Sequence, residues 1–391
     1  MAKIKTYQTD IREARKKVKR KNKFKKLVWL AVLAAVLLIF VLTSGFWVPK
    51  LGQAIKSVTE KFGSKTTVAE GEFPISMGQT QYSQISTADD CLVVITDTHL
   101  NFYDKSGVNV KSVQHSYSNP TAVPGGNRIL LYDLGGYNLI VANKKGEIFT
   151  KKTDEQIIMS SMSSSGYTIV VTQTEKYASY MTVYDSNGKE AFRWSSNQRV
   201  VDVSFNKSGD GCVVSSITAD GGEIKSMLTG LSFSKSEPLF ETQKYSTMIY
   251  KTRYCSDGNI WAVANTRLMK LNDKGEVLYN FDYDTNLEKF TFDGDIAAIV
   301  QKSVINSSFE LSVMPSSTGE VHKYTANDVC KQITCHKGKV YVLMSKTLAV
   351  FDDTGACVAS YDVSPDYQSF VFLDDNVYFM DYSQVDKVTL E

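Results

Sequence analysis

One short pattern recurs along most of the chain, and it constrains the fold more than any other feature. Five segments run from apolar residues into Asp or Asn, with Gly three residues later: 100–107 (LNFYDKSG), 139–146 (LIVANKKG), 181–188 (MTVYDSNG), 268–275 (LMKLNDKG) and 348–355 (LAVFDDTG). A tight hairpin turn needs this chemistry, because the Asx side chain bonds nearby backbone and Gly adopts a positive φ. A sixth copy at residues 313–319 has Ser316 in the Asx position, and a seventh, expected near residues 231–237, lacks the turn residues.

The spacing of this pattern identifies the architecture. Six intervals separate Gly107 from Gly355, which gives about 41 residues per repeat. Within one repeat, four strands are predicted at residues 156–162, 167–172, 181–184 and 190–194. Repeats of this length with four strands each are typical of β-propeller blades. The fold class is therefore predicted to be all-β, a β-propeller.

The two ends of the repeat array predict how the ring closes. Three strands follow the last repeat, at residues 367–373, 377–380 and 385–390, and an isolated strand at residues 73–76 precedes the first. Together they make one four-stranded blade, and joining them removes exposed sheet edges. We expect eight blades, with seven as the alternative.

The N-terminus predicts a membrane anchor. Twelve Lys or Arg occupy residues 1–26, against Asp10 and Glu13, and residues 27–48 then carry no charge. An uncharged run of that length spans a bilayer as a helix, and the basic flank stays in the cytoplasm. A cleaved signal peptide is the alternative, but the basic region is long and no A-x-A-like cleavage site follows. The predicted order is a basic cytoplasmic tail (1–26), a transmembrane helix (27–48), a juxtamembrane linker (49–71) and an extracytoplasmic propeller (72–391).

Charge separates the tail from the rest of the chain. The tail holds twelve of the 44 basic and two of the 42 acidic residues, so the remainder has 32 and 40, a net charge near −8. Nucleic-acid surfaces need clustered Lys and Arg. We therefore expect no nucleic-acid partner, and membrane contact through residues 27–48.

Residues 183–194 (VYDSNGKEAFRW) and 350–355 (VFDDTG) resemble the repeats of quinoprotein-type propellers. The whole arrangement resembles an uncharacterised, domain-of-unknown-function family of Gram-positive, single-pass membrane proteins with a quinoprotein-like or WD40-like propeller. That resemblance implies a fold and a topology, and no activity. The adjacent Cys pair of quinoprotein dehydrogenases is absent here, as are the Gly-His and Trp-Asp signatures of WD repeats. No cofactor is expected.

Sequence patterns of catalytic or metal sites are missing. The four His (His99, His115, His322 and His336) lie in different repeats without metal-ligand spacing. Ser-x-x-Lys occurs at residues 186–189, 204–207 and 232–235, but in predicted turns or strand ends and without the partner motifs of penicillin-binding enzymes. Residues 282–286 begin like a calcium loop but lack its Gly and Glu positions. We predict no catalytic, cofactor-binding or metal residues.

Cysteine placement favours free thiols. All six Cys lie beyond the predicted span, where disulfides are permitted, yet most lie in apolar runs such as Cys91 and the four residues after it. The sequence thus predicts a non-catalytic binding scaffold for a protein or cell-envelope ligand. The alternative is an enzyme acting on envelope polysaccharide, with acidic residues in the propeller funnel. A sensor that signals through the tail is less favoured because the tail is short. The identity of the ligand is not encoded in any recognisable motif.

Overall fold

The computed structural model describes residues 66–68, 73–78, 83–284, 287–302 and 308–390. The predicted tail, transmembrane helix and most of the linker lie outside these residues. Within them the secondary structure is all strand and turn. No helix long and apolar enough to cross a membrane occurs in this described part of the chain.

The strands form eight antiparallel blades, which confirms the predicted all-β propeller and its blade number. In chain order the strands are β1 (Thr66–Val68), β2 (Ile75–Ser76); β3 (Ser83–Ala88), β4 (Cys91–Thr96), β5 (His99–Tyr103), β6 (Asn109–Gln114) in blade 1; β7 (Pro120–Gly125), β8 (Arg128–Asp133), β9 (Asn138–Asn143), β10 (Gly146–Lys152) in blade 2; β11 (Ile157–Met162), β12 (Thr168–Thr172), β13 (Ser179–Tyr184), β14 (Glu190–Ser196) in blade 3; and β15 (Arg199–Phe205), β16 (Gly211–Asp220), β17 (Glu223–Ser232), β18 (Phe240–Glu241) in blade 4.

The second half continues with β19 (Ile249–Tyr254), β20 (Ile260–Ala264), β21 (Arg267–Leu271), β22 (Val277–Asp282) in blade 5; β23 (Leu287–Asp293), β24 (Ile296–Lys302), β25 (Phe309–Pro315), β26 (His322–Ala326) in blade 6; β27 (Gln332–His336), β28 (Lys339–Leu343), β29 (Thr347–Phe351), β30 (Cys357–Asp362) in blade 7; and β31 (Ser369–Leu373), β32 (Asn376–Met380), β33 (Gln384–Leu390) in blade 8. First strands of neighbouring blades contact each other at most junctions, for example β15 with β19 and β23 with β27, so they line the axis of the ring.

Burial follows the position of a strand within its blade. Second strands such as β4, β12 and β20 are buried along their whole length, because neighbouring blades cover both of their faces. Fourth strands such as β22 and β30 alternate exposed and half-buried residues. The continuous apolar runs of the sequence are therefore the middle strands of the blades.

The predicted turn chemistry joins the third and fourth strands. Asp185 Oδ1 accepts hydrogen bonds from the backbone N–H groups of Asn187 and Lys189, both at 2.9 Å, and Gly188 has φ 82°. Asp352 Oδ1 accepts from the corresponding N–H groups, at 2.9 and 3.0 Å. The repeated Asx and Gly are thus the local cause of each turn.

The hydrophobic core is divided among the blade junctions. Among the described residues, eight clusters of buried apolar side chains each join two neighbouring blades, and one of them joins blade 8 to blade 1. An open array would leave one of these junctions without a partner. Closure of the ring therefore completes the core.

Residues from the N-terminus close the ring, as predicted. β2 pairs with β33 through Ile75 opposite Val385, and β1 pairs with the same edge through Thr66 opposite Leu390. The sequence places residues 66–68 in the linker, whereas in the structure they belong to blade 8. A three-residue strand without a flanking turn pattern cannot be recognised from sequence, so residues 66–68 are assigned to blade 8 by their backbone pairing alone.

The antiparallel blades give the ring two distinct faces. Face A carries the turns between the first and second strands and between the third and fourth strands of each blade. Face B carries the turns between the second and third strands and the connections from blade to blade. Because β1 begins opposite Leu390, at the end of a third strand, the chain enters the propeller at face A.

Candidate functional site: an axial cavity

A cavity of about 630 Å³ opens at face A along the propeller axis. Its lining comes from the ends of the first strands of blades 1–5 and from the first turns of blades 2–6. Cavities of this volume are typical of ligand sites, and loops on a rigid ring are where binding residues usually lie.

One wall of the cavity, formed by blades 4 and 5, is cationic. Lys251 and Arg253 are two residues apart in β19, so their side chains lie on the same side of the strand. Lys207 lies in the turn that follows β15 in the neighbouring blade. All three side chains are exposed to solvent. We call Lys207, Lys251 and Arg253 the cationic wall. Among the described residues that line the cavity, none is Asp or Glu.

A buried carboxylate holds part of this wall in place. Asp202 of β15 is 2% exposed and accepts three hydrogen bonds from β19: from Lys251 Nζ at 2.6 Å, from the Thr252 N–H at 2.7 Å and from the Thr252 hydroxyl at 2.8 Å. Charge-assisted bonds of this kind satisfy a buried carboxylate. Asp202 therefore fixes β19 against β15 and neutralises Lys251, whereas Arg253 and Lys207 make no ion pair within the described structure.

The adjoining wall of the cavity, formed by blades 2 and 3, is neutral and closely packed. A Cβ at Gly125 would lie 2.6 Å from the Met162 side chain, and one at Gly126, where φ is 65°, would lie 2.6 Å from the Ser164 carbonyl oxygen. Only glycine allows the two turns to approach this closely. Ser161 and Ser163 also line this wall. The Ser163 hydroxyl accepts from the Tyr167 N–H at 2.9 Å and bonds the Ser165 hydroxyl at 2.9 Å, so it is engaged within its own turn.

The thiol at the cavity is not poised for nucleophilic chemistry. Cys255 is 2% exposed, and burial raises the pKa of its thiol to about 12. A reactive cysteine needs a lowered pKa and access to solvent. Cys255 instead packs with Trp261 and Val263 in the junction of blades 5 and 6.

Ion pairs between blades hold the turns of face A. Lys144 of blade 2 binds Asp90 of blade 1 at 2.6 Å, and Lys337 of blade 7 binds Asp375 of blade 8 at 2.5 Å. These pairs are exposed and individually weak. Together with the pair of Lys105 and Asp374, they link the turns of neighbouring blades at the three junctions from blade 7 to blade 2.

A buried ammonium makes the corresponding link between blades 5 and 6. Lys270, 3% exposed in its side chain, donates to Asp257 Oδ2 at 2.8 Å, to the Ser316 hydroxyl at 2.7 Å and to the Ser316 carbonyl at 2.8 Å. Ser316 is the residue that replaces Asx in the sixth repeat. Its departure from the repeat pattern is explained by this partner in the neighbouring blade.

The structure does not bring the predicted candidate residues together. The expectation that the four His lie in different repeats is wrong for one pair: His99 begins β5 and His115 directly follows β6 in blade 1, whereas His322 and His336 lie in blades 6 and 7. His115 is buried, with Nε2 3.1 Å from the Thr96 carbonyl oxygen, and burial lowers its pKa. No group of three His, Cys, Asp or Glu suited to a metal ion occurs among the residues the structure describes. Part of the calcium-like segment, residues 285–286, lies outside them.

The Ser-x-x-Lys matches lie in turns and at strand ends, as predicted. Residues 186–189 and 232–235 occupy the turns between third and fourth strands. The third match, Ser204 and Lys207, lines the axial cavity. All six cysteines are free, and Cys357 is the exposed one.

The cationic wall was missed by motif reasoning. It joins residues of two blades, and Asp202 lies 49 positions from Lys251. One local signal was present: residues 249–254 (IYKTRY) place two cations at period 2 with no acidic residue between them.

The fold and its site define an eight-bladed β-propeller with a cation-lined axial cavity. Residues 61–390 match the family of unknown function DUF5711, and the chain belongs to that family. No curated protein sequence matches it.

Two solved structures share the propeller fold at low sequence identity. BamB from Moraxella catarrhalis is 12% identical, with a TM-score of 0.58 over 83% of this chain and 100% of that one. The Pan2 WD40 domain from Neurospora crassa is 9% identical, with a TM-score of 0.50 over 70% of this chain and 89% of that one. At this identity the likeness concerns the fold alone.

Proposed function

We propose that this protein is a membrane-anchored, extracytoplasmic binding scaffold that holds a protein or cell-envelope ligand at face A without catalysing a reaction. The observation that carries the proposal is the axial cavity, which combines an exposed cationic wall with a rigid ring of interlocked turns. Rigid propellers present loops for binding without strain in the core.

The described residues that line the cavity include no recognisable reactive group, and this supports a non-catalytic role. A polysaccharide hydrolase needs two carboxyl groups facing each other, one of them with a raised pKa. The cavity lining contributes hydroxyls, cations and a protonated thiol, and no carboxylate among its described residues.

Membrane attachment is part of the same proposal. It rests on the basic residues 1–26 and the uncharged residues 27–48. About 17 residues separate that run from Thr66, so an extended linker would reach at most ~60 Å.

Protease protection tests the topology. Protease added to wall-free intact cells should digest the propeller and the linker and leave residues 1–26 intact. A propeller protected in intact cells and digested only after lysis would contradict the extracytoplasmic placement.

Site-specific photo-crosslinking in the native membrane tests the binding face. A photoreactive residue in place of Lys207, at the cavity mouth, should give a discrete crosslinked product. The matched control is Tyr382, which is 79% exposed in the second turn of blade 8, on face B. Equal yields of crosslinked product from positions 207 and 382, or no product from position 207, would refute face A as the binding surface.

A further inference from the structure

Uncompensated positive charge marks the cavity as a site for an anion. The Lys251 ammonium is shared with Asp202, but the side chains of Arg253 and Lys207 have no hydrogen bond or ion pair within the described structure. The cavity therefore presents two free cations on one wall. The guanidinium of Arg253 is a planar fork whose geometry matches a carboxylate or phosphate bidentately.

Two carboxylates lie in or next to turns that contribute residues to the cavity. Asp210, in the same turn as Lys207, accepts from Asn206 Nδ2 at 2.8 Å and from the Ser208 hydroxyl at 2.5 Å, and these bonds lower its pKa. Asp295, in the first turn of blade 6, accepts from the Ser256 hydroxyl. The turns around the cavity therefore also carry negative charge, which disfavours a broad anionic surface laid over them.

The neutral wall, formed by blades 2 and 3, has groups that can hydrogen-bond to the backbone of an extended peptide. This wall brings Gly125, Gly126 and Ser161 to the cavity. Backbone and hydroxyl groups donate to and accept from peptide amides. The volume of about 630 Å³ accommodates a short segment and not a folded domain.

We propose that the cationic wall binds the carboxylates of an extended acidic polypeptide segment, with Arg253 as the principal contact. This inference rests on the proposed function, since it names the chemistry of the partner that face A would hold. Asp202 acts as a positioning residue that keeps β19, and hence Arg253, in register with blade 4.

Binding of a defined probe tests the inference with the full-length protein in nanodiscs. The probe is a fluorescent peptide containing four Glu, compared by anisotropy with the same peptide containing four Gln. The wild-type protein should prefer the Glu peptide, and this preference should fall as ionic strength rises. Arg253→Gln should weaken Glu-peptide binding about tenfold, and Arg253→Lys should weaken it less.

A matched variant isolates the cavity from the basic tail. Arg199 is exposed at the start of β15, toward face B, and has no side-chain partner in the described structure. Arg199→Gln should leave binding unchanged. The tail is common to every variant, so only the difference between Arg253→Gln and Arg199→Gln reports the cavity. Equal effects of the two substitutions, or no effect of either, would refute the inference.

Competitors distinguish an acidic peptide from other anions. Polyphosphate and vesicles rich in anionic lipid should displace the peptide less effectively than unlabelled Glu peptide does. Stronger displacement by either, lost in Arg253→Gln, would replace the peptide assignment with a phosphate ligand.

The crosslinking readout separates this inference from the proposed function. A crosslinked product at position 207 that persists in Arg253→Gln, together with no Glu-peptide binding, would sink the acidic-segment inference and leave the scaffold standing. If the otherwise wild-type protein gives no crosslinked product at position 207 and binds no Glu peptide, both the scaffold proposal and the acidic-segment inference are rejected.

Discussion

Ring closure depends on a few buried side chains, and Phe73 provides the sharpest test of it. β2 contributes only two backbone pairs to β33, extended by the Met77 N–H donating to the Ser383 carbonyl at 2.9 Å. Phe73 is 9% exposed, and its ring centroid lies 5.5 Å from that of the fully buried Tyr378. Side-chain burial therefore contributes more to this closure than the short ladder does.

Phe73→Ala should lower the free energy of unfolding by about 3 kcal/mol, the low end for a buried Phe, because this ring lies at the edge of its cluster. With a urea m-value of roughly 3 kcal/mol/M, the unfolding midpoint should fall by about 1 M. Urea denaturation followed by intrinsic fluorescence measures the shift. The control is Ser76→Ala in β2, an exposed position, where a change below ~0.5 kcal/mol is expected. Equal midpoints for the two variants would refute the role assigned to Phe73.

Three further predictions follow from the same contacts. Removal of residues 1–78 deletes β1 and β2 and leaves the seven-residue edge of β33 unpaired, so light scattering should detect aggregation that removal of residues 1–64 does not cause. Lys270→Ala should lower the free energy of unfolding by about 3 kcal/mol, measured by thermal or urea denaturation, because the Ser316 carbonyl loses its buried partner. The matched control is Lys323→Ala, which removes the exposed ion pair of Lys323 with Glu310 and should lower it by less than ~1 kcal/mol. At pH 8 a thiol reagent should modify one cysteine rapidly, Cys357, and Cys357→Ser should abolish that phase. Burial raises the pKa of Cys91 to about 11 and that of Cys330 to about 12, so their thiolate fractions stay small until far higher pH; two or more fast thiols would contradict this burial.

Local chemistry explains why so much of the fold was predictable from sequence. Each blade is a run of hairpins between neighbouring residues, so its signals are contained in about 40 consecutive positions. The turn at Asp185 and Gly188 was predicted from that spacing and is confirmed by its hydrogen bonds. The strand predicted at residues 181–184 is observed as Ser179–Tyr184.

Contacts between blades could not be predicted from local sequence patterns. Ser316 is a defective turn residue when read alone, and its role depends on Lys270, 46 positions earlier. The cationic wall likewise needs the register of β15 against β19, which only the closed ring establishes. The candidate site was therefore hidden in the sequence even though the architecture was visible.

The strand that completes the last blade is also the first strand of the propeller, and this has a mechanical consequence. Any pull transmitted from the residues before Thr66 reaches the β1–β33 ladder before any other contact in the ring. Backbone hydrogen bonds of an antiparallel pair lie perpendicular to the strands. A force along the direction of β1 would shear these bonds together, whereas a force across it would peel them apart one at a time. The resistance of the ring to tension would thus depend on the direction in which its N-terminal segment is drawn.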